Sequence, residues 1–257
     1  MSEKITFEDF PQRRFERRQL GAEDVELWAA PLDPSPARVS ALHTLLAEDE
    51  RARAARFRFE RDRRRSIVAR GLLRLLLEGY TGVPAREHRF VYGDKEKPSL
   101  DGELGESLHF NVSHSHELVL IGFLRDREVG VDVEHVREMP DGRSIAEHFF
   151  STPEREDLAQ VDDDHLPDAF FRCWTRKEAY VKAVGDGLSI PLDCFDVTLK
   201  PEDPVRFLSM HGDAERAAGW SLYHLEPADG YLGAVALEGR GFRLRGFRVD
   251  PDRLEIG

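Results

Sequence analysis

The sequence predicts an α+β fold built from two similar halves, and three observations predict it. Short runs in which apolar and polar residues alternate recur along the chain, the pattern of half-buried strands. Segments of helical periodicity, bounded by capping and stop residues, separate them. The order of these segments is nearly the same before and after residue 125, which describes a duplication and not a short-period repeat. Helices packed on mostly antiparallel strands give the class, and 257 residues can enclose one large core or two small ones.

In the first half, residues 1–125, a strand near residues 25–30 leads into helical segments near 37–46 and 66–80. Strands follow near 89–92, 108–112 and 118–124. In the second half, residues 126–257, a strand at 129–136 leads into helical segments near 144–150 and 167–184. Strands follow near 195–199, 205–208, 220–224, 231–237 and 242–249. The second long helix carries its own punctuation: Asp162, Asp163 and Asp164 before it, Pro167 in its first turn, Gly185 and Gly187 at its stop.

Three segments carry candidate chemistry. In the first, Val129, Val131 and Val133 alternate with Gly130, Asp132 and Glu134. Asp132 and Glu134 therefore share a strand face. Gly130 on that face offers no side chain, which predicts an open approach. The pair suits a hard divalent cation such as Mg²⁺, which takes oxygen ligands and shares its shell with water and phosphate. A solvated strand face would read the same way. In the second, Trp174, Glu178 and Lys182 stand at i, i+4 and i+8 of the long helix. Glu178 and Lys182 are either a surface ion pair or part of a cation and phosphate site. In the third, Phe110-Asn111-Val112-Ser113-His114-Ser115 ends a strand. Its histidine is structural or functional, among small polar residues of the kind phosphate sites use. The strands at 118–124 and 129–136, joined by Arg125-Asp126-Arg127-Glu128, read as a hairpin that would bring His114 beside Asp132 and Glu134.

Composition narrows the function. Residues 1–125 hold 21 basic and 21 acidic side chains; the second half is acidic and the chain as a whole is at −12. Ten arginines fall between Arg51 and Arg74, yet a net-acidic protein is a poor generic binder of nucleic acid. No apolar run reaches membrane length. The N-terminus lacks a secretory signal pattern. Cys173 and Cys194 show no paired spacing, which fits reduced thiols in the cytoplasm.

Phe110–Ser115, then Gly130-Val131-Asp132-Val133-Glu134, then Trp174-Thr175-Arg176-Lys177-Glu178-Ala179-Tyr180-Val181-Lys182, in this order and spacing, resemble the Sfp-type 4'-phosphopantetheinyl transferases. The resemblance spans roughly residues 40–200. It takes in Arg56 through Arg74 as the family's first long helix, Lys97-Pro98 as its substrate loop, and 187–192 after the acidic helix. Glu96 departs from the glycine often found before the Lys-Pro pair. His116 departs from a smaller or acidic residue.

The resemblance implies a pseudo-symmetric transferase that binds coenzyme A in a cleft between its halves. Asp132, Glu134 and Glu178 would hold Mg²⁺. Arg53, Ser66, Lys97, Pro98, Ser113, His114, Asp132, Lys177 and Lys182 would contact coenzyme A. A serine hydroxyl of an acyl, polyketide or peptidyl carrier protein would attack the phosphorus next to the pantetheine arm, releasing 3',5'-ADP. Glu178 would act as base, directly or through a metal-bound water, with Lys182 and His114 on the phosphoryl group. The expected state is a cytoplasmic monomer with no nucleic-acid or membrane partner. The alternatives are another Mg²⁺-dependent enzyme of nucleotide diphosphates that uses no carrier, and a non-catalytic coenzyme A-binding module.

Overall fold

The computed structural model describes residues 5–11, 14–93, 97–185 and 190–256. Glu96, Gly187, Leu188 and Ser189, singled out above, lie outside the described residues. The chain opens with β1 (Phe7–Asp9) and β2 (Asp24–Pro31), then α1 (Pro36–His43), α2 (Glu48–Ala55) and α3 (Glu60–Thr81). A small hairpin of β3 (Phe90–Tyr92) and β4 (Pro98–Leu100), and a short α4 (Glu103–Ser107), precede the long strands β5 (Leu108–Ser115), β6 (Leu118–Arg125) and β7 (Val129–His135). Next come α5 (Gly142–Phe149), α6 (Thr152–Ala159) and α7 (Leu166–Val184). β8 (Phe195–Val197), β9 (Phe207–Met210), α8 (Ala214–Ala218), β10 (Trp220–Leu225), β11 (Tyr231–Glu238) and β12 (Arg243–Arg248) complete the fold.

The larger sheet has the order β1-β12-β2-β6-β5 and the smaller one β10-β11-β7. They stack face to face. Along β6, Leu118, Leu120 and Leu124 enter a core shared with Val129, Val131 and Val133 of β7 and Val235 and Leu237 of β11. Val119, Ile121 and Phe123 face a second core roofed by Val39, Leu42, Val68, Leu72 and Leu76 of α1 and α3. The continuous apolar run of β6 follows from burial on both faces. A third core lies beyond the smaller sheet, where Ala234 and Ala236 of β11 meet Phe170, Ala179 and Ala183 of α7. The layers therefore run helices, sheet, sheet, helices, and the pairings are mostly antiparallel, as the sequence predicts.

Three expectations change. The segment from Arg56 to Arg74 is not one helix: α2 ends at Ala55, and Phe59 is extended (φ −101°, ψ 136°) before α3 begins. β6 and β7 are not a hairpin. Among the described residues β7 pairs only with β11, and its valine face packs on the apolar side chains of β2 and β6 in a shared core. β12 leaves the second half to pair in parallel with β2. α7 is as predicted, with proline in its first turn and Gly185 left-handed (φ 84°) at its C-cap. Among the described residues no helix is long and apolar enough to cross a membrane.

Candidate active site

The face of β7 opposite its valines meets α7. A Cβ on Gly130 would lie 2.0 Å from the carbonyl oxygen of Ala179 and 2.3 Å from the nitrogen of Ala183. The glycine thus admits the helix backbone and not a ligand, which corrects the open approach expected of it. This contact sets Lys182 Nζ 2.6 Å from Asp132 Oδ1. Gly130→Ala should separate helix from strand. We expect a loss of about 3 kcal/mol or more, the upper end for overpacking, read as a lower denaturation midpoint.

Asp132 is not on a wet face: it is 4% exposed. Its Oδ1 accepts from Lys182 and, at 2.8 Å, from Ser113 Oγ. Its Oδ2 is buried with no hydrogen bond among the described residues. Glu134 Oε2 accepts from Ser115 Oγ at 2.6 Å. Burial raises the Glu134 carboxyl above its usual range, and Asp132 adds to this against the Ser115 bond. Glu178, one turn before Lys182, has no hydrogen bond among the described residues. Burial, then Asp132, raise its carboxyl, and Glu134 contributes too. Three carboxylates thus share one neighbourhood with a single ammonium. Among the described residues they do not converge in ligating geometry; Lys182 and Ser113 both hold Asp132 Oδ1, and Ser115 holds Glu134 Oε2. The all-oxygen donor set and the orphaned Oδ2 nonetheless fit a hard divalent cation.

A cavity of about 560 Å³ opens beside this cluster. Its walls come from residues 46–116 of the first half, not from both halves, and it reaches the carboxylates through His114 and Ser115. Arg53, Ser66, Pro98 and His114 line it. Arg65 and Arg70 line it too, against the carboxylates of Glu50 and Asp62. Arg53 stacks over Tyr92, 4.7 Å from the ring centre. Arg70 keeps a buried Nη1 with no hydrogen bond among the described residues. The walls suit an anion with a planar base. His114 lines the cavity, exposed at its own surface but with protein around it. That partial burial, with Lys182 and Arg65 nearby, lowers its imidazole below the usual histidine range.

Two expected coenzyme A contacts are placed elsewhere. Lys177 is fully buried, and its Nζ bonds Leu192 O (2.6 Å), Phe195 O (2.7 Å) and Glu154 (2.8 Å). It ties α7 to α6 and β8 and cannot reach the cavity. Lys97 Nζ bonds Glu128 (2.6 Å) and the Lys182 carbonyl (2.7 Å), so it braces the end of α7 instead of reaching for the nucleotide.

Glu128 also bonds His109 at 3.0 Å. Burial alone would raise the Glu128 carboxyl, but the bonds from His109 and Lys97 outweigh it and bring it down to about 2. The same bond raises His109. The Glu128 contribution is present above its ordinary value of 4.5 and lost as pH falls toward 2. The His109 contribution is present below 6.5 and lost as pH rises through its raised value. Thermal melts of Glu128→Gln against the parent should therefore differ most between these two limits. The difference should be modest, because half of Glu128 stays in solvent, and above the window only the Lys97 part remains.

Residues 30–123 match the family model described as 4'-phosphopantetheinyl transferase, N-terminal, and residues 128–236 that of the 4'-phosphopantetheinyl transferase superfamily. The 4'-phosphopantetheinyl transferase HetI of Nostoc sp. is 39% identical over 225 residues, covering 87% of this chain and 92% of that protein. The 4'-phosphopantetheinyl transferase psf-1 of Bacillus pumilus is 34% identical, covering 77% and 83%. The 4'-phosphopantetheinyl transferase Sfp of Bacillus subtilis is 32% identical, covering 63% and 70%.

Proposed function

The chain belongs to the 4'-phosphopantetheinyl transferase superfamily, and from that premise we propose that it transfers the 4'-phosphopantetheine arm of coenzyme A to a serine of a carrier protein. The observation that carries the site is the orphaned Asp132 Oδ2 beside Glu134, Glu178 and Lys182, next to an arginine-lined cavity. The cavity volume lies within the usual range for small-molecule sites. Arg53, Ser66, Arg65 and Arg70 line the space for the nucleotide end, which gives residues 1–125 the binding role. Residues 126–257 supply the carboxylates and α7.

Asp132, Glu134 and Glu178 would hold Mg²⁺, which when bound neutralises diphosphate charge. Glu178 takes the proton of the carrier serine, directly or through one water, as the serine oxygen bonds to the phosphorus next to the pantetheine arm. The bond from that phosphorus to the bridging oxygen breaks, and 3',5'-ADP leaves with the electron pair. The Lys182 ammonium steadies the phosphoryl oxygens while holding Asp132, and neutral His114 donates one N–H to phosphate. The test is to incubate the protein with coenzyme A, Mg²⁺ and a panel of apo-carrier proteins. A carrier heavier by one phosphopantetheine is expected; no modified carrier at any concentration would end this reading.

The family resemblance implies an acidic carrier, and with the protein itself at −12 attraction of such a partner must come from a local patch. The turn between α2 and α3 offers one: Phe57 and Phe59 are exposed and flanked by exposed Arg56 and Arg58. Arg58→Glu should slow carrier association and flatten its salt dependence in stopped-flow traces, with coenzyme A affinity unchanged. Unaltered carrier kinetics at low salt would move docking to another face. We place the enzyme in the cytoplasm as a monomer, where its two free thiols stay reduced.

A further inference from the structure

β5 and β7 are edge strands of different sheets, yet they are joined by a ladder of side chains. Asn111 Oδ1 accepts from Val131 N (3.0 Å), Ser113 Oγ from Val133 N (3.3 Å) and Ser115 Oγ from His135 N (3.2 Å). The sequence offset is 20 each time, so polar side chains of β5 stand where the backbone of a neighbouring strand would be. Each serine also donates to a carboxylate at an offset of 19: Ser113 to Asp132 and Ser115 to Glu134. Asn111 faces the same register at Gly130, where no carboxylate needs a donor, and it needs only an acceptor. Serine appears at the two rungs that need donor and acceptor in one atom.

Proton counting excludes another role for these serines. A hydroxyl has one proton to give, and both serines give it to a carboxylate. Ser113 Oγ also accepts from Lys182 Nζ at 3.0 Å, which uses its second lone pair. Neither hydroxyl retains a proton for phosphate, the role that sequence reasoning gave Ser113. Each serine engages one oxygen of its carboxylate, Asp132 Oδ1 or Glu134 Oε2, and so leaves the other for a further partner.

We infer that Asn111, Ser113 and Ser115 are positioning residues. Their ladder clamps β5 to β7 and turns the free oxygens of Asp132 and Glu134 toward a shared cation. This rests on the reading of those carboxylates as cation ligands. Two readouts on protein free of coenzyme A test it: Mn²⁺ binding by electron paramagnetic resonance, and hydrogen exchange at single amides. Ser115→Ala should weaken Mn²⁺ about tenfold or more, as loss of an outer partner to a ligand does, and should speed exchange at His135. Ser113→Ala should do the same at Val133. Ser115→Thr, which keeps the hydroxyl on a strand, should restore both. Mn²⁺ affinity that depends on Asp132 but ignores Ser113→Ala and Ser115→Ala would overturn the positioning role. Faster exchange spread over the whole fold would overturn it as well, by showing general loosening. Mn²⁺ affinity indifferent to Asp132→Asn would instead sink the carboxylate site itself.

Discussion

Asp132→Ala is expected to lower transfer by on the order of 10³-fold, because compensating diphosphate charge is worth several kcal/mol in the transition state. From the sequence, folding would be untouched, since alternation sets the residue on a polar face. Burial changes that expectation. Asp132 receives Lys182 and Ser113, and losing hydrogen bonds to a charged group costs about 1.5–3 kcal/mol. Asp132→Asn separates the two effects, for it keeps the shape and an acceptor but drops the charge. Both variants should lose transfer, and Asp132→Ala should also melt earlier. Near-normal turnover by either at millimolar Mg²⁺ would sink the assignment.

What could be read in the sequence was local. Alternation at 129–134 gave the shared face of Asp132 and Glu134. Acidic residues, Pro167 and Gly185 gave the bounds of α7, and spacing of four gave the common face of Glu178 and Lys182. Partner choice between distant strands was not readable. Nothing in Arg125–Glu128 tells a hairpin turn from a crossing between stacked sheets, because β6 and β7 have the same apolar pattern in either case. That β12 joins β2 is likewise a long-range choice with no local mark.

Lys177 was readable in part. It lies about 100° around the helix from Glu178 and shares a buried stripe with Cys173, Tyr180 and Val181, so periodicity alone puts it on the core side. The ladder of Asn111, Ser113 and Ser115 left a weaker signal. Its period of two matches that of Gly130, Asp132 and Glu134, but only the structure shows the two registers facing each other. Arg65 and Arg70 were hidden among ten arginines of one sign, and the turn at Phe59 decides which of them meet the cavity.

Glu178→Gln should separate the base from the ligand. Glu178 is half-buried, accepts no hydrogen bond among the described residues, and has its carboxyl raised by burial and by Asp132. A carboxylate so placed is a better proton acceptor than one in water. Glutamine keeps the shape and an oxygen donor but cannot take the proton. The rate at saturating coenzyme A should fall by about 10²–10⁴, the usual worth of general base catalysis, with KM for coenzyme A little changed. Lys182→Ala should behave otherwise. Its ammonium holds Asp132 Oδ1 and in the proposed reaction would also steady the phosphoryl group, so both kcat and KM should suffer. The contrast is the decisive measurement, because both side chains lie on one face of α7 and a general loosening of that helix would damage them alike. If Glu178→Gln only raised KM, the serine proton would have to go elsewhere, and Glu178 would keep the role of a ligand alone.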